Sequence, residues 1–204
     1  MKNWMKYERY LMDGEWHIHT DYTDGENSVD EYCRDAIKKH IPLLAFTEHV
    51  RRKLTYSFHD LIEEIESARA SYRDLKILSG CEAKVLDDGE LDVSEDTLRK
   101  CDIVLMAFHS FPNDKSKYVH ALKKALSNLK VDVWAHPGTL RFQNDLSLTN
   151  KEVADILNLA KKKEVLVEIN RKYNMPPSKW LEIGSEQGLK FVRGNDVHSI
   201  RDLK

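Results

Sequence analysis

Glu15-Trp16-His17-Ile18-His19-Thr20 places two histidines two residues apart at the close of a short strand-like run. Alternate side chains of a strand share a face, so both imidazoles point one way while Trp16 and Ile18 point the other. Asp196-Val197-His198 repeats the arrangement near the opposite end of the chain. Between the two pairs, Phe46-Thr47-Glu48-His49, Ala107-Phe108-His109-Ser110 and Trp134-Ala135-His136-Pro137-Gly138 each set one histidine directly after an apolar run. Glu82 follows Ile77-Leu78, and Asp24 lies in Thr23-Asp24-Gly25. Residues able to bind a metal ion therefore stand at or just beyond the places where strands should stop: His17, His19, Asp24, His49, Glu82, His109, His136, Asp196 and His198.

The strands expected from the apolar runs are Glu15–Thr20, Leu43–Glu48, Ile77–Ala83, Ile103–His109, Val131–His136, Val165–Asn170 and Phe191–His198. Helical segments alternate with them. Ser28-x-x-Glu31 and Thr149-x-x-Glu152 have the form of capping boxes, and further helices are expected over Phe58–Arg73, Ser94–Lys100, Lys117–Leu129 and about Ser178–Gln187, the last closed by Gly188. Asp87-Asp88-Gly89 reads as a tight turn of a small hairpin. This βα alternation suits a parallel sheet, either open or closed. An open sheet gathers ligands at one switch point, whereas a barrel brings all its strand ends to one mouth. Candidate ligands fall at six of the expected strand ends, so the predicted fold is an α/β barrel of (βα)7 type.

With 204 residues, 41% of them hydrophobic and 32% charged, the chain suits one domain spanning 1–204. A net charge of −2 gives no global attraction to nucleic acid or to an anionic membrane. Cys33, Cys81 and Cys101 form no C-x-x-C and read as free thiols in a reducing compartment. The opening stretch has no apolar targeting core, and no segment reaches the ~20 apolar residues of a membrane span. The expected location is cytoplasmic. His40, His59 and His120 lie in or beside polar helical segments and read as solvated side chains.

H-x-H-T…D-G, then T-E-H, an isolated Glu82, a lone His109, H-P at His136, and D-x-H-S at Asp196 occur in order from about Gly14 to Ser199. This series resembles the polymerase and histidinol phosphatase (PHP) superfamily of metal-dependent phosphoesterases. The resemblance implies a distorted (βα)7 TIM-like barrel with two or three divalent ions (Zn, Mn or Fe) at the C-terminal ends of its strands. It also implies that His17, His19, Glu82 and Asp196 hold one ion, that Glu82 bridges to a second held by His109 and His136, and that Asp24, His49 and His198 hold the third. Glu82, His109 and Asp196 are then the catalytic residues. Glu48 stands where many members have Asp, beside the ligand His49, so fine tuning rather than metal binding is affected.

A phosphate ester repels a hydroxide nucleophile, and several cations both neutralise that charge and supply a metal-bound hydroxide at neutral pH. The expected function is a phosphatase acting on a small phosphate monoester, histidinol-phosphate-like, with a nucleotide phosphoesterase or 3′-5′ exonuclease as the alternative and a non-catalytic metal-binding domain ranked below both. Nucleic acid is not the favoured partner. Arg51, Arg141 and Arg171, each just past a strand end, are the candidates for contact with substrate phosphate. Tyr56 and Tyr173 are candidate pocket walls. An amidohydrolase-like metal barrel, with Lys84 supplying a bridging carbamate, fits the motif order poorly.

Overall fold

A computed structural model describes residues 2–140 and 146–204. Among them, the strands are β1 (Glu15–Ile18), β2 (Leu43–Val50), β3 (Lys76–Lys84), β4 (Ile103–Ala107), β5 (Val133–Trp134), β6 (Leu166–Asn170) and β7 (Phe191–Gly194). Each pairs in parallel with its neighbour in sequence, giving the order β1 to β7. The first and last strands meet at a parallel bridge between Ile18 and Val197, where His19 N donates to Val197 O at 2.8 Å and Val197 N to His17 O at 2.9 Å. The sheet is thus the nearly closed (βα)7 TIM-like barrel that the ligand spacing predicts.

Six α-helices among the described residues wrap it: α1 (Val29–Lys38), α2 (Phe58–Ser71), α3 (Glu95–Lys100), α4 (Lys115–Leu126), α5 (Asn150–Lys162) and α6 (Ser178–Glu186). Both expected capping boxes form, Ser28 with Glu31 before α1 and Thr149 with Glu152 before α5. α4 begins earlier than its apolar pattern suggests because Asp114 accepts from Lys117 N at 3.0 Å and so starts the helix. After α6, Gly188 takes φ 68°, and Leu189 N and Gly188 N return to Gly184 O and Ser185 O at 2.9 Å, a Schellman ending. The Asp87-Asp88-Gly89 turn forms too, closed by an antiparallel bridge between Val85 and Leu91.

Strand alternation divides the core. Leu43 and Ala45 of β2, Leu78 of β3, and Ile103, Leu105 and Ala107 of β4 fill the barrel interior. Leu44, Phe46, Ile77, Val104 and Met106 pack instead beneath the helices. Continued along each strand, the interior parity ends on His49, Glu82 and His109, so the same periodicity that builds the core aims the candidate ligands. The other end of the barrel is stoppered by a 3-10 helix, Asn3–Tyr10, which the apolar pattern does not predict. Its Trp4 is buried against the interior set and donates from Nε1 to Glu164 O at 2.9 Å.

Five strands, β1, β4, β5, β6 and β7, are shorter than expected, and two of them stop at unusual backbone turns. β5 stops at Trp134 because His136 turns to φ 29°, and β7 stops at Gly194 because Asp196 turns to φ 51°. Few non-glycine residues adopt positive φ, and each such turn costs about 1–3 kcal/mol. Here both fall on candidate ligands.

Candidate metal centre

Glu82 is fully buried at the mouth end of β3, and its two oxygens face different partners. Oε1 stands 2.8 Å from His136 Nε2 and 3.5 Å from His17 Nε2. Oε2 stands 2.7 Å from His49 Nδ1, 3.2 Å from His109 Nε2 and 3.8 Å from His19 Nε2. Asp196 Oδ1 adds contacts of 3.1 Å to His19 Nε2 and 3.6 Å to His17 Nε2. Asp24 Oδ2 lies 3.4 Å from His49 Nε2 and 3.3 Å from His198 Nε2. The fold therefore links all nine residues singled out in the sequence into one cluster.

Three sets of donor atoms within it are each mutually within 4.8 Å: His19, Asp24, His49 and His198; His17, His19 and Glu82; and His49, Glu82 and His109. The first contains the trio that the family resemblance assigns to a third ion, with His19 added. The second overlaps the assignment of a first ion, and Asp196 borders it. In the third set His49 takes the place expected for His136, which lies instead against the other oxygen of Glu82.

Electrostatics keep the carboxylate donors ionised, as ligation requires; burial opposes the charge on His17, His49 and His136, but the neighbouring carboxylates outweigh it and raise these imidazoles, so a cation bound there would release protons. Burial opposes the charge on Glu82, but His17, His109 and His136 outweigh it and hold the carboxyl well below its usual range. Burial likewise opposes the Asp196 charge, and His19 and His17 overcome it and keep that carboxyl anionic. His19, pushed down to about 4 by burial, stays neutral. Three buried ring nitrogens of the cluster also lack a well-formed hydrogen bond. The buried Nδ1 atoms of His19, His49 and His109 have no hydrogen bond among the described residues, although His49 Nδ1 touches Glu82 Oε2. His17 Nε2 and His19 Nε2 face each other at 3.1 Å. Imidazoles and carboxylates packed edge to edge at these distances suit shared divalent cations of the Zn, Mn or Fe kind.

Supporting residues hold the cluster. His198 Nδ1 lies 2.8 Å from Asp196 O, leaving Nε2 toward Asp24. Glu48 is buried behind β2, accepting from Thr20 N at 2.7 Å and from Thr23 Oγ1, and so pins the loop that carries Asp24. Burial raises the Glu48 carboxyl to about 7. Three contributors were not singled out from the sequence. Glu168 contacts His17 Nδ1 at 2.8 Å; Lys172 Nζ lies 3.1 Å from Asp196 Oδ2 and 3.2 Å from His198 Nδ1; Asn195 donates to buried Glu15 at 2.8 Å. An acid at the interior parity of Leu166-Val167-Glu168 was the available signal for the first.

The mouth opens into a cavity of about 340 Å³ bordered by Phe108, Thr139, Tyr173 and Met175 as well as the candidate ligands. Beyond Asp24, His49 and His109 lies a trough of about 490 Å³ walled by Tyr22, Tyr56, Arg51 and Lys53. Arg51 thus borders the site at one remove, held by Asp92 at 3.6 Å. Arg171 is exposed and lines a different depression with Asn195 and Asp202, while Lys172, its neighbour, reaches the cluster. Arg141 lies outside the described residues. Tyr173 borders the cavity, and Tyr56 OH donates to His49 O at 3.1 Å. Lys84 Nζ bonds Ser110 Oγ at 2.9 Å. His40, His59 and His120 are exposed. No helix among the described residues is long and apolar enough to cross a membrane.

Comparison with known proteins gives a consistent picture. The DNA polymerase/3′-5′ exonuclease PolX of Bacillus subtilis (strain 168) is 31% identical over 199 residues, which cover 93% of this chain and 35% of that protein, so the chain spans about a third of this relative's length. A "Probable phosphatase" of Acetivibrio thermocellus is 28% identical over 186 residues, covering 84% of this chain and 73% of that protein. Among solved structures, the histidinol phosphate phosphatase of Lactococcus lactis, complexed with zinc, L-histidinol and phosphate, shares the fold with a TM-score of 0.71 at 18% identity, over 93% of this chain and 88% of that one. The model of the PHP domain matches residues 15–172, and the chain belongs to the PHP domain family.

Proposed function

We propose that residues 1–204 act as one metal-dependent phosphoesterase unit that hydrolyses a small phosphate monoester. The observation that carries this reading is the double engagement of Glu82, whose two oxygens each meet different histidines at 2.7–3.5 Å from strands around the mouth. A carboxylate so placed is suited to bridging two cations. When bound, such cations neutralise phosphate charge, orient the ester and acidify water. His17, His19, Asp196 and Glu82 are the proposed holders of one ion, His109 and His136 of its partner across Glu82, and Asp24, His49 and His198 of a third. The chain's own contribution is to keep Glu82 and Asp196 ionised and the donors fixed, and to offer Lys172 and Tyr173 at the rim, where phosphate enters. The named phosphatase relatives and the histidinol phosphate phosphatase neighbour support a small substrate.

A second reading has its own support. The trough past His49 and His109 sets Tyr22 and Tyr56 rings 6.0 Å apart beside Arg51 and Lys53, a surface suited to a nucleotide, and the PolX relative is named as an exonuclease. Turnover of histidinol phosphate, a 3′-phosphorylated nucleotide and a labelled single strand, each with and without Mn²⁺ or Zn²⁺, separates the two. Metal-dependent release of phosphate from the small ester is expected. Degradation of the strand alone would overturn the leading reading.

A further inference from the structure

We propose that Glu168 is the positioning residue of the metal centre, one buried carboxylate that selects which nitrogen of His17 can ligate and, through the main chain, sets where His136 stands. This rests on reading the nine-residue cluster as a metal site. Glu168 lies on the interior parity of β6 and is almost wholly buried. Its Oε1 is 2.8 Å from His17 Nδ1, and its Oε2 accepts from His136 N and, at 3.3 Å, from Asn170 Nδ2.

An ionised carboxylate only accepts hydrogen bonds, so the hydrogen in the first contact sits on Nδ1 of the ring. That leaves Nε2, which faces Glu82 Oε1 at 3.5 Å and Asp196 Oδ1 at 3.6 Å, as the ligating nitrogen. His136 holds φ 29°, and the bond from its N–H to Glu168 is part of what sustains that turn, after which its Nε2 meets Glu82 at 2.8 Å. The fold makes room for this acid. A Cβ on Gly194 of β7 would collide with Glu168 Oε1 and stand 3.0 Å from His17 Cβ, so glycine there is what lets the carboxylate reach both partners. Three strands and one strand end are shaped around a side chain that does not border the cavity.

The test is Glu168→Gln. A glutamine oxygen can accept from His136 N while its amide donates to His17 Nδ1, so every buried group keeps a partner but the ring is held with its hydrogen on Nε2. Chelator-stripped wild type and variant are titrated with Zn²⁺ by calorimetry and melted without metal. The expected result is a metal-free melting midpoint close to wild type and a Zn²⁺ dissociation constant raised roughly 10- to 100-fold for at least one ion. Equal Zn²⁺ affinity and stoichiometry in both proteins overturns the role of Glu168 and leaves the metal reading intact. Absence of Zn²⁺ binding by the wild type overturns the metal reading itself. Should the variant not fold, nitrogen NMR of Zn²⁺-loaded wild type decides: His17 ligating through Nε2 with a hydrogen on Nδ1 supports the assignment, and ligation through Nδ1 overturns it.

Discussion

Lys172 reaches over the barrel mouth to Asp196, its Nζ lying 3.1 Å from both Oδ2 and the main-chain oxygen, while Oδ1 of the same carboxylate turns inward toward His19. The ammonium thereby occupies the oxygen that does not face the other donors. Its side chain is 41% exposed, at the rim where the proposed function has phosphate enter. Replacing Lys172 by Met should lower kcat/KM for a phosphate monoester about tenfold, mostly through KM, the order expected for one charge-assisted hydrogen bond. Lys172→Arg should retain most activity. Steady-state kinetics check this, and an unchanged KM in the Met variant would falsify it.

Glu82 is the group whose loss should be felt most widely. Glu82→Ala removes the acceptor common to His17, His49, His109 and His136. Bound metal measured by elemental analysis should fall by at least one ion, and phosphatase turnover by at least about 100-fold, since each ligand fixes the geometry of the rest. Stripping wild type with a chelator should abolish turnover, and Mn²⁺ or Zn²⁺ should restore it. Full activity without metal would count decisively against the proposed centre.

Glu48 offers a narrower test. It bonds Thr20 N and Thr23 Oγ1, on either side of the turn leading to Asp24. Glu48→Ala should loosen that loop and cost the ion held by Asp24, His49 and His198, leaving the remaining metal bound. Retention of the full metal content in the variant would show that the loop holds its place unaided.

The far end of the barrel should make its own contribution to how stability depends on pH. Burial raises the Asp132 carboxyl to about 6 against the pull of Lys2, while the unfolded chain titrates near 3.8. Between these values the folded state binds more protons than the unfolded one, so the stability contributed here falls as pH rises from about 4 to about 6 and is level above. The window is worth up to about 3 kcal/mol at 1.36 kcal/mol per unit. Urea unfolding of wild type and Asp132→Asn across that range should show the stability difference shifting toward the variant as pH rises. A difference independent of pH would refute the buried-acid account.

The interior column of β4 can be probed directly. Leu105 is fully buried inside the barrel, two residues from Ile103 and Ala107 on the same face. Leu105→Ala should cost about 2–5 kcal/mol by denaturant unfolding, the range for an interior cavity that cannot collapse. A loss below about 1 kcal/mol would mean that the interior repacks freely.

Period-two patterning made much of this molecule readable. The alternation of Leu43, Ala45 and His49, or of Ile103, Leu105 and His109, encodes both the core face and the aim of the ligand in one strand. What escaped was of two kinds. The 3-10 helix at Asn3–Tyr10 buries little but Trp4 and so has no apolar stripe to announce it. Glu168 and Lys172 act through spatial neighbours far away in sequence, and a lone acid in an apolar strand or one lysine among several carries no local mark of its partner. Arg171 drew the attention that Lys172 warranted because strand-end position alone does not say which way a loop side chain turns.

The bridge between Ile18 and Val197 has a consequence for the order in which the protein becomes competent. It joins the earliest strand to the stretch just after the last, and His17, His19, Asp196 and His198 flank it. A chain emerging from the ribosome therefore exposes its first two histidines long before their acidic counterpart exists. Until residues 196–198 are made and the two edges seam together, the early strands carry an unfinished cluster with no Asp196 beside His17 and His19. Closure of the sheet and completion of the ligand cluster are in this sense one event, since a chain that stops before Asp196 has most of the strands but neither the seam nor the acid.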